Sequence, residues 1–218
     1  MHGLLGTQVL VDYLIRAAVC LLVIPFHEAA HALVSNLLGD PTAKNAGRLS
    51  LNPIRHFDPL GAVCMIVGGV GWAKPVGIDV RRFKNPKVGM AVSAAAGPLS
   101  NLLLAFVATV LYKVLYYATL AQAPQLLMDF LWCLISMNIS LGVFNLLPVP
   151  PFDGSRIALL FLPQKYYFKA MRYERYIMMA VLALVFLGVL NTPLRLAVNA
   201  VWYAMNGLTG FVELWFGL

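Results

Sequence analysis

The chain has 218 residues, of which 61% are hydrophobic and only 11% charged, and its mean hydropathy is +0.78. A soluble globular domain is nearer half apolar and a quarter charged, so the composition excludes an ordinary soluble enzyme and indicates a polytopic membrane protein. The net charge of +7 comes with no nucleic-acid-binding signature; lysines and arginines in such a chain gather in cytoplasmic loops and set its orientation.

The first apolar segment covers 8–38, which as a helix of about 45 Å exceeds the thickness of a bilayer core. Gly39-Asp40-Pro41 ends it as a glycine C-cap followed by proline. Arg16 lies too far in, and HEAAH falls too late in the apolar run, for this segment to be a signal peptide. A polar stretch with Lys44, Arg48, Arg55 and His56 follows, broken by the turn pairs Asn52-Pro53 and Asp58-Pro59. Residues 61–71 are apolar but short and glycine-containing, which suits a re-entrant segment. Trp72 to Val80 alternates, with Val76, Ile78 and Val80 facing one way, a strand-like period.

A second full span is expected over 88–120, with Gly97-Pro98 inside it, and a third over 126–147, ending at Pro148-Val149-Pro150-Pro151. A short helix over 154–163, a basic loop, a further span over 177–190 and an apolar stretch over 193–218 complete the chain. The last could cross or lie at the interface. The expected fold is therefore all-α and polytopic, a single domain over 1–218. It has about four to six membrane helices, with a small β or re-entrant element between the first two full spans. The three basic stretches 44–55, 74–87 and 156–175 fall on one side if 61–71 dips in and returns, and the positive-inside rule makes that side cytoplasmic. Cys20, Cys64 and Cys133 show no C-x-x-C spacing and are expected as small hydrophobes in packed helices.

His27-Glu28-Ala29-Ala30-His31 has the form HExxH. On a helix, positions i and i+4 share a face, so both imidazoles can meet one metal ion, with Glu28 beside them to take a proton from water. Ionisable groups inside a membrane segment are costly and persist mostly for function. The alternative is a polar patch bonded to neighbouring helices. A catalytic zinc keeps three protein ligands and an open position, so a third ligand must come from elsewhere. Asp153 stands out because it follows a proline-broken apolar span, and irregular backbone at membrane depth is tolerated where it lines a cavity. Asp153-Gly154 is equally a common turn pair. A non-catalytic membrane metal-binding or transport protein is the competing function, since transporters also use broken helices and midplane carboxylates. It predicts metal flux and no need for Glu28.

HEAAH in the first long apolar segment, together with Asn145-Leu-Leu-Pro148-Val-Pro150-Pro-Phe-Asp153-Gly154 near the third, resembles the site-2 protease family of intramembrane zinc metalloproteases. Gly47 to Pro53, His56 to Pro59 and Ala96 to Asn101 are also similar to family members. The likeness covers about 8–160, the expected catalytic core, without room for the PDZ or CBS domains of many relatives. The resemblance implies one Zn2+ held by His27, His31 and Asp153, with Glu28 as acid and base. Asn145 is a candidate oxyanion or substrate contact and Asn101 a second one. Trp72, Val76 and Ile78 are candidate substrate-binding residues by strand addition. His56 and Asp58 are expected to organise a loop. The expected partners are a transmembrane protein or peptide substrate and the lipid bilayer of a prokaryotic cell, with the site toward the cytoplasm.

Overall fold

A computed structural model describes residues 2–68, 73–161 and 173–217. Among the described residues three helices are long and apolar enough to cross a membrane: α1 (His2–Leu37), α4 (Pro86–Ala118) and α5 (Gln125–Asn145). The protein is thus an integral membrane protein. Shorter helices α2 (Thr42–Asn45) and α3 (Pro59–Gly68) lie between the first two spans, and α6 (Asp153–Ala158) follows the third. Then come α7 (Glu174–Phe186), α8 (Asn191–Leu208) and α9 (Phe211–Trp215).

The α1 helix ends where glycine allows it. Gly39 adopts φ 105°, its N–H donates to Asn36 O and the next N–H donates to Ser35 O, the bonding pattern of a Schellman cap. Along α1, Ile15, Val19, Val23, His27, His31 and Ser35 are all buried. They stand four residues apart, so one continuous ridge carries the hydrophobic core in its upper half and the two imidazoles in its lower half. The ridge packs on α4, whose buried face is made of small residues, including Gly89, Ala91, Ser93, Ala94 and Gly97. Small side chains let two backbones approach closely where no hydrophobic effect drives helices together. Ala105 and Ala108 of α4 with Leu134, Ile135, Ile139 and Val143 of α5 complete the core. Outward-facing Leu10, Leu14, Leu99, Leu103, Leu126 and Trp132 are exposed, as expected of a surface that faces acyl chains.

Two expectations need correction. Residues 73–79 form no strand; no strand occurs among the described residues. The alternation is present, but a strand requires a ladder partner, and the segment's one backbone–backbone bond at its start is Lys74 N–H to His56 O at 2.9 Å. The expected span over 177–190 is the 13-residue helix α7, about 20 Å long and too short to cross a bilayer as a helix. It stops at Gly188, where φ is 76°. Among the described residues three helices reach spanning length, and the all-α membrane fold is as expected.

The two flanks of α3 are held together. Residues before it (Arg48, His56) bond to residues after it (Pro75, Lys74), so the chain returns after α3 to the place where it left. The 193–218 region packs instead of standing alone. Val198, Val201 and Trp202 of α8 lie against the core cluster, and Lys113 of α4 ties the region down by pairing with Glu213 at 2.9 Å and donating to Asn206 O at 3.0 Å. Of the expected basic loop of 156–175, residues 162–172 lie outside the described residues, as does part of the expected helix over 154–163.

Candidate metal centre and active site

Two prolines bracket the site. Pro25 in α1 and Pro98 in α4 each lack the N–H that an interior helical residue donates to position i−4. The carbonyls of Leu21 and Ala94 are so released beside the site, and Ala94 lines its cavity. The third span ends at Asn145, and a proline-rich turn leads into α6. The Phe144 and Phe152 rings meet edge-on with centroids 4.5 Å apart across this break, fixing where the chain re-enters. Gly154 sits so close to the end of α5 that a Cβ would lie 2.2 Å from Leu146 O. Only glycine lets α6 begin there, and this brings Asp153 to α1.

His27, His31 and Asp153 converge. The Nε2 atoms of His27 and His31 are 3.1 Å apart, and Asp153 Oδ2 lies 3.2 Å from the first and 3.3 Å from the second. Three donors bound tetrahedrally to one ion at about 2.0–2.1 Å would stand about 3.3 Å apart, so the triangle fits a zinc-sized ion. The donor chemistry fits too, since imidazole nitrogen and carboxylate oxygen suit zinc. His31 Nδ1 donates to the Ser93 carbonyl at 2.7 Å, which leaves the lone pair of neutral His31 on Nε2, facing Asp153 Oδ2. That oxygen is buried and has no hydrogen-bond donor. Two lone-pair atoms face to face at this distance call for a cation between them.

The α4 helix supports this centre twice. Ser93 fixes the His31 tautomer, the outer-shell role that orients a metal-binding imidazole. One turn on, Gly97 allows α4 against both rings. Sequence reasoning named Gly97 within a similar stretch but gave it no role, and Ser93 went unnoticed. The i, i+4 spacing of Ser93 and Gly97 on one helix was the available signal.

A cavity of about 670 Å³ opens on the triangle. Glu28, itself buried, lines it beside the three metal-site residues, as do Asn145, Val76 and Ile78. Asn145 Nδ2 donates to Leu141 O of its own helix at 3.0 Å. Asn101 is fully buried in α4 with both amide atoms unpartnered and does not belong to the cavity lining. Trp72 lies outside the described residues. Met65, Met90, Met178 and Arg156 also face the cavity; no motif marks them. His56 Nε2 donates to Ser50 O at 2.7 Å and Asp58 Oδ1 accepts from Gly61 N–H at 2.8 Å, so both organise their loop. Arg81 donates to Asp79, and this bond holds the Asp79 carboxyl down at about 2.

Comparison with known proteins gives a consistent answer. The model of Peptidase family M50 matches residues 113–188. The chain is 45% identical over 134 residues to "Putative zinc metalloprotease YwhC" of Bacillus subtilis (strain 168), covering 60% of this chain and 61% of that protein. It is 31% identical over 133 residues to "Putative zinc metalloprotease Rip2" of Mycolicibacterium smegmatis, covering 59% of this chain and 49% of that protein. The matches thus span about three fifths and about half of the relatives' lengths. No solved structure matches the chain significantly. Over residues 113–188 the chain is thus similar to peptidase family M50, and over about three fifths of its length to two relatives named putative zinc metalloproteases.

Proposed function

We propose that this protein is an intramembrane zinc metalloprotease that hydrolyses peptide bonds in or near transmembrane segments of other membrane proteins, the chemistry of regulated intramembrane proteolysis. The observation that carries the reading is the buried triangle of His27, His31 and Asp153 with Glu28 on the wall of the same cavity. The relatives' names support zinc as the metal, and the single donor triangle among the described residues supports one ion per chain.

When bound by His27, His31 and Asp153, zinc supplies Lewis acidity that acidifies a water and polarises a carbonyl. Glu28 takes the proton of the attacking water and later passes it to the leaving amine. Its buried, water-poor surroundings favour strong electrostatic effects on the developing charge. Asn145 turns its amide from Leu141 O toward the oxyanion, while Asn101, buried in α4 outside the cavity wall, is the second candidate. The apolar walls receive the side chains that flank the scissile bond. A helical substrate must unwind to expose its peptide bonds, and the extended segment with Val76 and Ile78 on the cavity wall accepts the unwound stretch as an added strand. In this reading the face is turned toward the cytoplasm of a prokaryotic cell, which the basic loops support by the positive-inside rule and the bacterial relatives by their source.

Glu28→Gln is the decisive variant. The purified protein should keep its zinc, because Glu28 is not part of the ligand triangle, while cleavage of membrane substrates falls by a factor on the order of 10² to 10⁴. Fragment proteomics of membranes from cells with each form reads the outcome. Undiminished cleavage in Glu28→Gln overturns the mechanism, and zinc flux across vesicles by both forms would favour a transporter instead.

A further inference from the structure

Residues 73–79 cross the rim of the cavity without a helix or a ladder, yet both ends are fastened. At the near end the buried Arg48 reaches over from its own loop. Its guanidinium donates to the carbonyls of Arg55, Lys74 (3.2 Å) and Pro75 (3.0 Å). At the far end Asp40, fully buried, accepts the Asp79 N–H on Oδ2 at 2.8 Å and the Thr42 N–H on Oδ1 at 3.0 Å. Between the two clasps no backbone–backbone hydrogen bond among the described residues involves Val76, Gly77 or Ile78. Val76 and Ile78 line the cavity and Gly77 is exposed.

Burying an arginine and an aspartate is costly unless their hydrogen bonds are well used. Here both charges hold main chain of the same short segment, and the stretch they hold is left unpaired. An extended, unpaired backbone is a template for another chain. One that is fixed beforehand spares the binding step the entropy of ordering it. We propose that Arg48 and Asp40 are positioning residues for substrate. They stretch 75–79 between two fixed points so that Val76, Gly77 and Ile78 offer main-chain hydrogen bonds to an extended apolar peptide beside the metal site. This rests on the strand-addition reading above and adds the two residues that make the edge.

The test measures binding, so it does not depend on turnover. The probe is a fluorescent peptide of alternating valine and alanine around a Gly-Ser pair, alongside the same peptide N-methylated at alternate amides. Each is titrated into full-length, zinc-loaded Glu28→Gln protein in lipid nanodiscs, with and without Arg48→Met or Arg48→Lys. N-methylation should weaken binding about tenfold with Arg48 present, the worth of one or two main-chain hydrogen bonds. In Arg48→Met that penalty should shrink to less than about threefold at unchanged zinc content, with Arg48→Lys between the two, because an ammonium lacks the guanidinium fork. An equal penalty in all three forms overturns the positioning role. No penalty, or no binding, in the Arg48-containing protein overturns the strand edge itself, while protease activity stands or falls with the cleavage assay. Hydrogen exchange on the unmodified protein guards against a variant that misfolds. The amides of 76–78 should exchange freely alone and become protected with peptide; protection without peptide would refute the proposal.

Discussion

Gly97 of α4 lies so close to His31 of α1 that a Cβ on it would stand 2.3 Å from the ring Nε2, and 2.6 Å from His27 Cε1. No side chain fits in that gap. The helix backbone of α4 is therefore part of the wall of the metal site, and the approach of α1 and α4 sets the positions of both imidazoles.

Gly97→Ala should consequently damage the metal centre before it damages the fold. The added methyl must push the rings or the helices apart, and displacement of zinc-binding imidazoles by altered neighbours lowers affinity by about 10–100-fold. Zinc content after dialysis against a weak chelator should drop, with cleavage falling in parallel, while helicity is retained. Gly207→Ala is the control. Nothing lies within 4 Å of its would-be Cβ, and alanine in a helix is favoured by about 1 kcal/mol over glycine, so that variant should keep its zinc. A Gly97→Ala protein with normal zinc affinity would mean the helices separate easily and the close approach has no bearing on the site.

The two asparagines should behave differently. Asn145 lines the cavity, so Asn145→Leu should lower kcat by about 10² to 10³ if its amide donates to the oxyanion, with KM little changed. Asn101 is fully buried with both amide atoms unpartnered, and an unsatisfied buried polar group costs about 1–3 kcal/mol. Asn101→Ala should therefore leave thermal stability equal or higher even though it removes packing. Its effect on cleavage decides whether that cost is borne for the reaction. Paired measurements of melting temperature, kcat and KM on both variants separate these roles.

The Lys113–Glu213 pair predicts how the C-terminal helices are held. Lys113 Nζ is buried in α4 and has two partners, Glu213 at 2.9 Å and Asn206 O at 3.0 Å. Glu213 retains 28% of its side-chain exposure, so it can turn to water when the lysine is removed, whereas the lysine cannot. Glu213→Gln should cost more than Lys113→Met, on the order of 1–3 kcal/mol for the stranded cation. The double variant should lose less than the sum. Thermal unfolding in detergent, followed by tryptophan fluorescence, reads all three. Additive losses would mean that the pair does not act as a unit.

Much of the site was legible because it obeys local periods. His27 and His31 share a face by helical spacing alone, and the proline-broken end of the third span drew attention to Asp153. What escaped was contact across helices. Ser93 and Gly97 matter through the surface of α1 that they touch, and in the sequence they are two small residues in an apolar span. Arg156 and Met178 reach the cavity from α6 and α7, which no periodicity links. The alternation at Val76 and Ile78 was a real signal put to the wrong use. It records side chains turned into a cavity on one side and away from it on the other, which is the environment of a strand without the neighbour that makes one. The apolar run 177–190 is itself short of a bilayer core, about 21 Å as a helix, and the chain turns at Gly188 before even that run is complete.

The same contacts constrain topology. Because Arg48 bonds to Pro75 and Asp40 to Asp79, the basic stretches 44–55 and 74–87 lie on one side of the membrane. The loop between α4 and α5, with Gln122 exposed, lies on the other, since α4 crosses between them. By the positive-inside rule the first side is expected to be cytoplasmic. In a background with Cys20, Cys64 and Cys133 replaced by alanine, Lys84→Cys should resist a membrane-impermeant maleimide on intact cells and react after permeabilisation, while Gln122→Cys should react in both. The reverse pattern would turn the protein over. It would put the mouth of the cavity outside the cell, and a substrate segment would then have to reach Glu28 from the opposite leaflet. Labelling at both positions on intact cells would instead contradict a single crossing by α4, the arrangement that brings Gly97 to His31.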